Sequence, residues 1–313
     1  MVYTPKCDIM YYTERNMAMS DYILSCCSTA DLSKEHFERR NVNYICFHFA
    51  IDGQEYIDDL GQSISYDEFY DRMAKGADTR TSQINISEYV DYFTPFLEQG
   101  KDVVHLSLSS GISGSVNSAR NAALIVNERF ENNKVYVVDT LAAASGYGLL
   151  VDEAADRRDA GMGAEELVQW LEDNKKFLQI WFFSTDLTAF VRGGRISKTS
   201  AVFGGLLEIC PLMNMDFEGH LVPRYKIRTK KKVIKEIVKK MEEKVRDGHD
   251  YDGKCYMCHS ACYEDARQVA DLLEESFPKL KGKVLINSVG TTIGAHTGPG
   301  TVALFYWGEE RVD

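Results

Sequence analysis

The order of apolar segments along these 313 residues predicts an α/β fold with two domains. In the first half, strands alternate with helices of about ten or more residues, which is the pattern of an N-terminal parallel sheet with helices on both faces. In the second half, two apolar stretches flank a turn at 217–219 and predict a hairpin, hence a second α/β domain with a mixed sheet. We therefore expect an N-terminal extension at 1–20, an N-terminal domain at 21–178 and a C-terminal domain at 179–313.

The elements of the first half are predicted from hydrophobic periodicity and from the residues at their ends. Runs of β-branched and aromatic residues predict strands, and polar caps followed by apolar residues at helical spacing predict helices. Predicted strands begin at Tyr22 and cover 43–51, 102–107 and 134–139. Predicted helices cover 65–75, 87–99, 119–129, 142–157 and 164–174, and 79–83 is predicted to be a polar loop.

The second half is predicted in the same way, with a less regular order of elements. Predicted strands cover 180–185, 206–216, 220–226, 254–259, 283–288 and 301–307. Predicted helices cover 230–246 and 265–276, and 290–300 is predicted to be a glycine-rich loop. A hairpin within such a mixture of strands and helices predicts that the second sheet is mixed.

Composition and charge restrict the class of protein. The 44% hydrophobic content is enough for a substantial core, and 27% charged residues is ordinary for a soluble protein. The net charge of -11 argues against nucleic acid or an anionic membrane as partner, because both repel an acidic surface. We expect no integral membrane insertion, since no apolar run is long enough, and the first residues do not resemble a secretory signal. The eight cysteines are then expected to be reduced, in a cytoplasmic protein.

The most informative segment is 103–123, where a strand, a loop of serine and glycine, and a helix follow one another. The start of a helix exposes unpaired N–H groups at the positive end of its dipole, which favours a bound carboxylate or phosphate. Ser113 and Ser115 supply hydroxyls, and Gly114 between them permits close approach to the backbone. The segment predicts an anion site, and the alternative is that its serines only cap the helix.

Two further polar segments are candidates for the same kind of site. Thr81 and Ser82 precede a predicted helix, where the alternative role is an ordinary cap. The stretch 294–300 holds His296 and Thr297 among three glycines and a proline, which suggests a tight turn that positions an imidazole. The alternative there is a surface turn with an incidental histidine.

Basic side chains are concentrated in two places. Arg192 and Arg195 flank two glycines and are suited to clamp a carboxylate or phosphate, although surface salt bridges are the commoner role of such arginines. The basic run at 226–232 is the solvated start of a helix in the plain interpretation, and a contact for phosphate or an acidic partner in the other.

Cys255, Cys258 and His259 form the C-x-x-C-H string of haem attachment, but they lie in a predicted buried strand. A zinc site would need a comparable pair of ligands elsewhere in the chain. We therefore expect these residues to serve packing, with neither haem nor metal bound.

Five short motifs, in this order, resemble those of the bacterial DegV family, the fatty-acid-binding proteins that include the carrier subunit of fatty acid kinase. The resemblance covers nearly everything from Tyr22 to Gly308. The motifs are Ser28-Thr29-Ala30-Asp31-Leu32, Thr81-Ser82-Gln83, Ser109-Ser110-Gly111-Ile112-Ser113-Gly114-Ser115, Arg192-Gly193-Gly194-Arg195-Ile196-Ser197 and Gly294-Ala295-His296-Thr297-Gly298-Pro299-Gly300.

The resemblance implies which residues bind the ligand. In the family a threonine and a serine hold the carboxylate, and the matching positions here are Thr81 and Ser113, assisted by the backbone of Gly114 and Ser115. His296 and Arg192 match residues near the head group or its phosphorylated form. The neighbouring hydroxyls of Ser82 and Thr297 complete the implied ligand-binding set.

The resemblance also implies the function of a non-catalytic carrier. A long-chain fatty acid would occupy an interior tunnel and be presented to a separate, ATP-dependent fatty acid kinase subunit, which makes acyl phosphate for phospholipid synthesis. No cofactor beyond the bound fatty acid is implied, and the chain lacks the G-x-x-x-x-G-K-[ST] loop for ATP phosphates. The alternative is an enzyme that acts on a small carboxylate or phosphate ester, with Ser113 as nucleophile and His296 as base.

Two positions depart from the pattern of the family. Cys27 stands where the family usually has aspartate, which removes a charge near the end of the first strand. Ser115 replaces a threonine and keeps the hydroxyl.

Overall fold

The computed structural model describes residues 22–196 and 209–312. The predicted extension at 1–20, the start of the strand predicted at 206–216, and Ser197 of the fourth motif lie outside the described residues. In chain order the strands are β1 Tyr22–Cys27, β2 Asn43–Ile45, β3 His48–Ile51, β4 Gln54–Ile57, β5 Thr79–Ser82, β6 Asp102–Ser107, β7 Val135–Asp139, β8 Leu178–Ser184, β9 Ile209–Met215, β10 Leu221–Arg228, β11 Cys255–His259, β12 Leu285–Ser288 and β13 Thr301–Trp307. The α-helices are α1 Lys34–Arg39, α2 Tyr66–Ala74, α3 Ile86–Glu98, α4 Ser115–Asn127, α5 Ala144–Asp159, α6 Ala164–Asn174, α7 Thr188–Arg192, α8 Lys230–Lys244, α9 Tyr263–Ser276 and α10 Thr291–Thr297.

Two main sheets confirm the predicted fold class. The four strands β2-β1-β6-β7 form a parallel sheet in that order, and helices connect them along the chain. The six strands β10-β9-β8-β13-β11-β12 form a mixed sheet, in which β11 and β12 are parallel and the other pairs are antiparallel. The second sheet begins at Leu178, next to the predicted domain boundary, and the boundary itself stays a prediction.

A third, small sheet was not predicted, because it divides a stretch that reads as one strand. Residues 43–51 form β2, in the parallel sheet, and β3, in an antiparallel sheet of order β4-β3-β5. Between them the backbone of Phe47 receives a hydrogen bond from Asp58 N–H and donates one to Ser28 Oγ, at 2.8 and 3.1 Å. These distant partners turn the chain from one sheet to the other, and local periodicity cannot reveal them.

Two predicted loops are regular structure. The polar stretch at 79–83 contains β5, which pairs with β3 so that Thr81 is opposite Phe49. The glycine-rich stretch at 290–300 contains the short helix α10, which ends at Thr297 and is followed by Gly298 with a φ of 66°. Both corrections have the same cause, since partners far away in the chain stabilise elements that their own composition disfavours. Other elements agree to the residue, among them β6, α6 and β13.

Candidate functional site

A cavity of about 660 Å³ lies between the ends of the parallel sheet and one face of the six-stranded sheet. Its volume is within the range of about 300–1,000 Å³ that is usual for ligand pockets. Apolar side chains from both halves of the chain form most of its wall; they are Phe47, Leu108, Ile112, Ile180, Phe182, Phe190, Met215, Leu221, Val289, Ile293, Ala303 and Phe305. Polar groups are concentrated at one end, so the cavity suits an amphipathic ligand.

Six of the eight predicted site residues line this cavity, namely Thr81, Ser113, Gly114, Arg192, His296 and Thr297. Ser82 follows Thr81 on β5, where successive side chains point to opposite faces, and it is exposed outside the cavity. Ser115 is fully buried, and its hydroxyl contacts the Tyr89 hydroxyl at 2.9 Å. The fold therefore brings together residues separated by more than 200 positions in the chain, as the 215-residue separation of Thr81 and His296 illustrates.

Thr81 and His296 are in direct contact, with 2.7 Å between Thr81 Oγ1 and His296 Nε2. Burial, together with the nearby charges of Arg195 and Arg192, lowers the pKa of His296 to about 4. The imidazole is therefore neutral near pH 7, with one ring nitrogen as donor and the other as acceptor. Nδ1 has no hydrogen-bond partner among the described residues.

Gly193 explains how the α7 segment approaches the imidazole so closely. A Cβ atom at this position would lie 2.2 Å from His296 Nδ1, so that no larger residue fits without a shift of the ring or the backbone. The two arginines on either side of this segment are held at the cavity by donated hydrogen bonds. Arg192 Nη2 donates to Thr79 Oγ1 at 2.9 Å, and Arg195 Nη1 donates to the Gly193 carbonyl at 2.7 Å. Two positive groups therefore flank a neutral histidine at the polar end.

Ser113 is positioned by the turn that precedes α4. Its N–H donates to the Ser109 carbonyl at 3.1 Å, and its hydroxyl oxygen accepts a hydrogen bond from Ser115 N–H at 3.2 Å. Because the hydroxyl oxygen already accepts, its proton is suited to donate to an acceptor in the cavity. The same loop is braced from the other side by the β9–β10 turn, where Ser109 Oγ donates to the Gly219 carbonyl at 2.9 Å.

Gln83 is a residue that the sequence reasoning quoted within a motif but did not select. It lines the cavity, and its Nε2 is 3.4 Å from Ser118 Oγ. A Cβ at Gly114 would lie 2.6 Å from Gln83 Oε1, so the glycine makes room for the amide as well as for a ligand. The signal for Gln83 was its place in the polar segment beside Thr81.

A buried polar chain links Cys27 to this loop. Cys27 Sγ is 3.4 Å from the Tyr89 hydroxyl, which in turn contacts Ser115, and 3.7 Å from His105 Nε2. Burial raises the pKa of Cys27 to about 11 and lowers the pKa of His105 to about 3. Both groups are therefore neutral near pH 7, and this cysteine–histidine contact lacks the thiolate that a nucleophile requires. Cys27 stands at the position where the resembled family usually has aspartate. Its neutral thiol belongs to this row of buried polar contacts.

The other sequence features do not form a site of their own, although Cys258 lines the cavity. Cys255 and Cys258 are three residues apart on β11, so they point to opposite faces of the sheet, and burial raises the pKa of both thiols well above the usual range. In 22–196 and 209–312, no group of three or more His, Cys, Asp and Glu residues is arranged to hold a metal ion. Lys230 of the basic run pairs with Asp265 at 2.9 Å.

The serine-nucleophile alternative needs a base beside Ser113. His296 Nε2 instead contacts Thr81, and the Ser113 hydroxyl oxygen accepts from a backbone N–H. The arrangement therefore lacks the hydrogen bond from nucleophile to base on which that alternative depends. Within the described parts of the chain, no helix has both the length and the apolar character to cross a membrane.

Comparison with known proteins identifies the family. The family model described as "Uncharacterised protein, DegV family" matches residues 27–309. A DegV domain-containing protein of Clostridium perfringens is 33% identical over 293 residues, which are 94% of this chain and 99% of that protein. A DegV domain-containing protein of Streptococcus pyogenes is 35% identical over 284 residues, which are 90% of this chain and 96% of that protein.

Solved structures give the same result. A DegV family protein from Thermus thermophilus, described by its fatty acid binding, is 27% identical with a TM-score of 0.80, covering 92% of this chain and 99% of its own. A fatty acid binding DegV family protein from Streptococcus agalactiae is 28% identical with a TM-score of 0.79, at the same coverage of 92% and 99%. This chain, with its parallel and mixed sheets around one amphipathic cavity, therefore belongs to the DegV family.

Proposed function

We propose that this protein is a non-catalytic carrier that buries a long-chain fatty acid in the 660 Å³ cavity. The carboxylate is held by the hydroxyls of Thr81 and Ser113, with the backbone at Gly114 assisting. The observation that carries this proposal is the division of the cavity into one polar end and an otherwise apolar wall, in a protein whose solved relatives are described as binding fatty acids.

The free energy of binding a fatty acid favours a cavity with an apolar wall and one polar end. Burial of about 15 methylenes, at about 0.8 kcal/mol each, contributes on the order of 12 kcal/mol before entropic costs. An unpaired carboxylate in the same cavity would cancel much of that gain, so that several donors must converge on it. Thr81 and Ser113 each supply a hydroxyl, and His296 Nε2 contacts the Thr81 hydroxyl.

The neutral donors suit a ligand whose carboxyl oxygen has to react elsewhere. A lysine paired with the carboxylate would compete for that oxygen, whereas hydroxyls leave it available as a nucleophile. Arg192 and Arg195 also line the cavity and are suited to the larger charge of an acyl phosphate. These features support presentation of the fatty acid to a separate, ATP-dependent kinase subunit, in the cytoplasm, with Arg192 and the basic run at 226–232 towards that partner or the phosphate.

The decisive experiment is mass spectrometry of an organic extract from freshly purified, denatured protein. We expect a stoichiometric fatty acid in the extract of the wild-type protein. We expect it to be lost from the double variant Thr81→Ala, Ser113→Ala. An empty wild-type protein that also fails to take up added fatty acids would contradict the carrier function. Loading that is unchanged in the double variant would contradict the assignment of the head-group residues. Turnover of an acyl ester by the protein alone would favour the serine-nucleophile enzyme.

A further inference from the structure

We propose that Arg311 is a positioning residue for the loop 109–113, which carries Ser113. We call this segment the head-group loop. The inference rests on the proposed function, because that function assigns Ser113 to the carboxylate. Arg311 is only 3% exposed and does not line the cavity, so it would act on the ligand through the backbone that it holds.

The guanidinium of Arg311 joins three segments of backbone that are remote from one another in the chain. Nη1 donates to the carbonyls of Leu141 and Asp216 at 2.9 and 3.0 Å, and Nη2 donates to the Lys175 carbonyl at 3.3 Å. These carbonyls belong to the turn after β7, to the residue after β9 and to the segment between α6 and β8. An arginine suits this role, since its planar fork presents several N–H donors in fixed directions.

The charge of Arg311 is kept although the side chain is buried. Burial lowers its pKa to about 10, while the charges of Asp216 and Asp139 act in the opposite direction. The guanidinium is therefore protonated near pH 7, and all its N–H groups remain donors. Asp216 also orders the β9–β10 turn, because its Oδ1 accepts from the N–H groups of Glu218 and His220 at 3.0 and 2.9 Å.

One side of the head-group loop is bound to the turn after β7. Ser109 N–H donates to the Ala142 carbonyl at 3.0 Å, and Ser110 N–H donates to Asp139 Oδ1 at 3.2 Å. Leu141 in this turn has a φ of 50°, which is unfavourable for a residue with a Cβ atom. The hydrogen bond from the guanidinium to its carbonyl therefore stabilises a turn to which the loop is bound.

The other side of the head-group loop is bound to the β9–β10 turn. Ser109 Oγ donates to the Gly219 carbonyl at 2.9 Å, and Gly219 N–H donates at 3.1 Å to the Asp216 carbonyl, which also accepts from Arg311. The two segments are in close contact. A Cβ at Gly219 would lie 2.1 Å from Ser109 Oγ, and a Cβ at Gly111 would lie 2.5 Å from the Gly219 carbonyl oxygen. A shift of this turn would therefore displace the loop.

Ser109 connects these contacts to the ligand site. Ser113 N–H donates to the Ser109 carbonyl at 3.1 Å, so a displaced Ser109 also moves the hydroxyl that Ser113 offers to the carboxylate. Hydrogen bonds weaken as their distance and angle depart from the preferred values. We therefore expect the loss of Arg311 to weaken the contribution of Ser113 and to leave that of Thr81, which lies on β5, unchanged.

The test is the variant Arg311→Lys, which keeps the charge and loses the fork that spans three carbonyls. Affinity is measured on delipidated protein by displacement of a fluorescent fatty acid, in the wild type and in the Ser113→Ala and Thr81→Ala backgrounds. Arg311→Lys should weaken binding on the order of tenfold, since the hydrogen bond that it perturbs is worth roughly 5- to 150-fold. This factor should largely disappear in Ser113→Ala and persist in Thr81→Ala, because only coupled residues depart from additivity.

Arg158→Lys is the matched control. Arg158 is 6% exposed and does not line the cavity. It also donates to two backbone carbonyls, those of Asn41 at 2.7 Å and Arg40 at 2.5 Å. Its substitution should lower the free energy of unfolding in urea and leave the affinity for fatty acid unchanged.

The outcomes separate this inference from the proposed function. A wild-type protein that binds fatty acid, with unchanged affinity in Arg311→Lys, would overturn the inference and leave the proposed function standing. An equal loss in all three backgrounds, or in Arg158→Lys as well, would do the same, because it would reflect a general loss of stability. A wild-type protein that takes up no fatty acid would overturn both.

A second variant tests the same connection from the loop, should Arg311→Lys fail to fold. Ser109→Ala removes the hydrogen bond to the Gly219 carbonyl and leaves the guanidinium in place. It should weaken binding in the wild type and much less in the Ser113→Ala background. Unchanged affinity in Ser109→Ala would overturn the inference.

Discussion

Acid should destabilise this protein in part through His296, the histidine at the ligand site. His296 has its pKa lowered from 6.5 to about 4 by burial and by the charges of Arg195 and Arg192. A group whose folded pKa is below its unfolded pKa binds fewer protons in the folded state, so acid favours unfolding. Its contribution to the free energy of unfolding is complete above pH 6.5 and is lost as the pH falls towards 4.

The magnitude follows from the two pKa values. With 6.5 in the unfolded chain and about 4 in the folded protein, linkage predicts a loss of about 2 kcal/mol by pH 5 and about 3 kcal/mol by pH 4. The full difference of about 2.5 pKa units corresponds to roughly 3 kcal/mol, as an order of magnitude. Other groups titrate in the same range, so the contribution of His296 has to be isolated by difference.

Urea unfolding of the wild type and of His296→Gln, between pH 4 and pH 7.5, provides that difference. The glutamine keeps a polar side chain next to Thr81 and does not titrate. The free energies of unfolding of the two proteins should converge as the pH falls, by the amounts given above. Two results would refute this assignment: free energies of unfolding that change in parallel with pH in both proteins, or an NMR titration of His296 with a midpoint near 6.5. Either would show that burial and the two arginines do not keep this imidazole neutral.

Three further substitutions have defined expectations. Ser113→Ala should weaken fatty acid retention by about 1–3 kcal/mol, the cost of an unpaired buried acceptor, as measured by displacement of a fluorescent fatty acid. Tyr89→Phe removes the hydroxyl that contacts Ser115 and should lower the free energy of unfolding by about 1–3 kcal/mol in urea. Asp31→Asn should raise the free energy of unfolding at pH 7, since burial and the charge of Asp58 raise the pKa of this carboxyl well above 3.8. The gain should shrink as the pH falls towards 4, where the carboxyl is protonated in the unfolded chain as well.

Controls for these substitutions come from the same chain. Ser110→Ala changes an exposed serine of the same loop that does not line the cavity, and it should leave fatty acid retention unchanged. Tyr136→Phe removes a more exposed hydroxyl, which contacts Glu165 at 3.0 Å, and should cost much less than Tyr89→Phe. Equal effects of Ser110→Ala and Ser113→Ala, or of the two tyrosine substitutions, would contradict the roles assigned to the buried residues. A lower stability of Asp31→Asn at pH 7 would show that this carboxyl is ionised in the folded protein.

The elements that the sequence predicted well are those with strong local signals. The strand at 102–107 and the helix at 164–174 agree with β6 and α6 to the residue, because an apolar run and a 3.6-residue period are local properties. The errors fall where distant partners decide. The stretch at 43–51 is divided between two sheets, 79–83 contains a strand and 290–300 contains a helix, and each is stabilised by residues remote in the chain.

The order of the short motifs was sufficient by itself to identify the family and the kind of fold, since backbone turns and helix starts require particular residues at fixed spacing. The sequence could also name several of the polar residues that line the cavity, namely Thr81, Ser113, Arg192, His296 and Thr297. Only the tertiary structure decided how they are arranged: that His296 is neutral and contacts Thr81, that Ser115 is turned into the core, and that Cys27 joins a neutral buried chain. Burial and strand register depend on contacts between residues far apart in the chain. The pairing of Ile180 with Phe305 is an example.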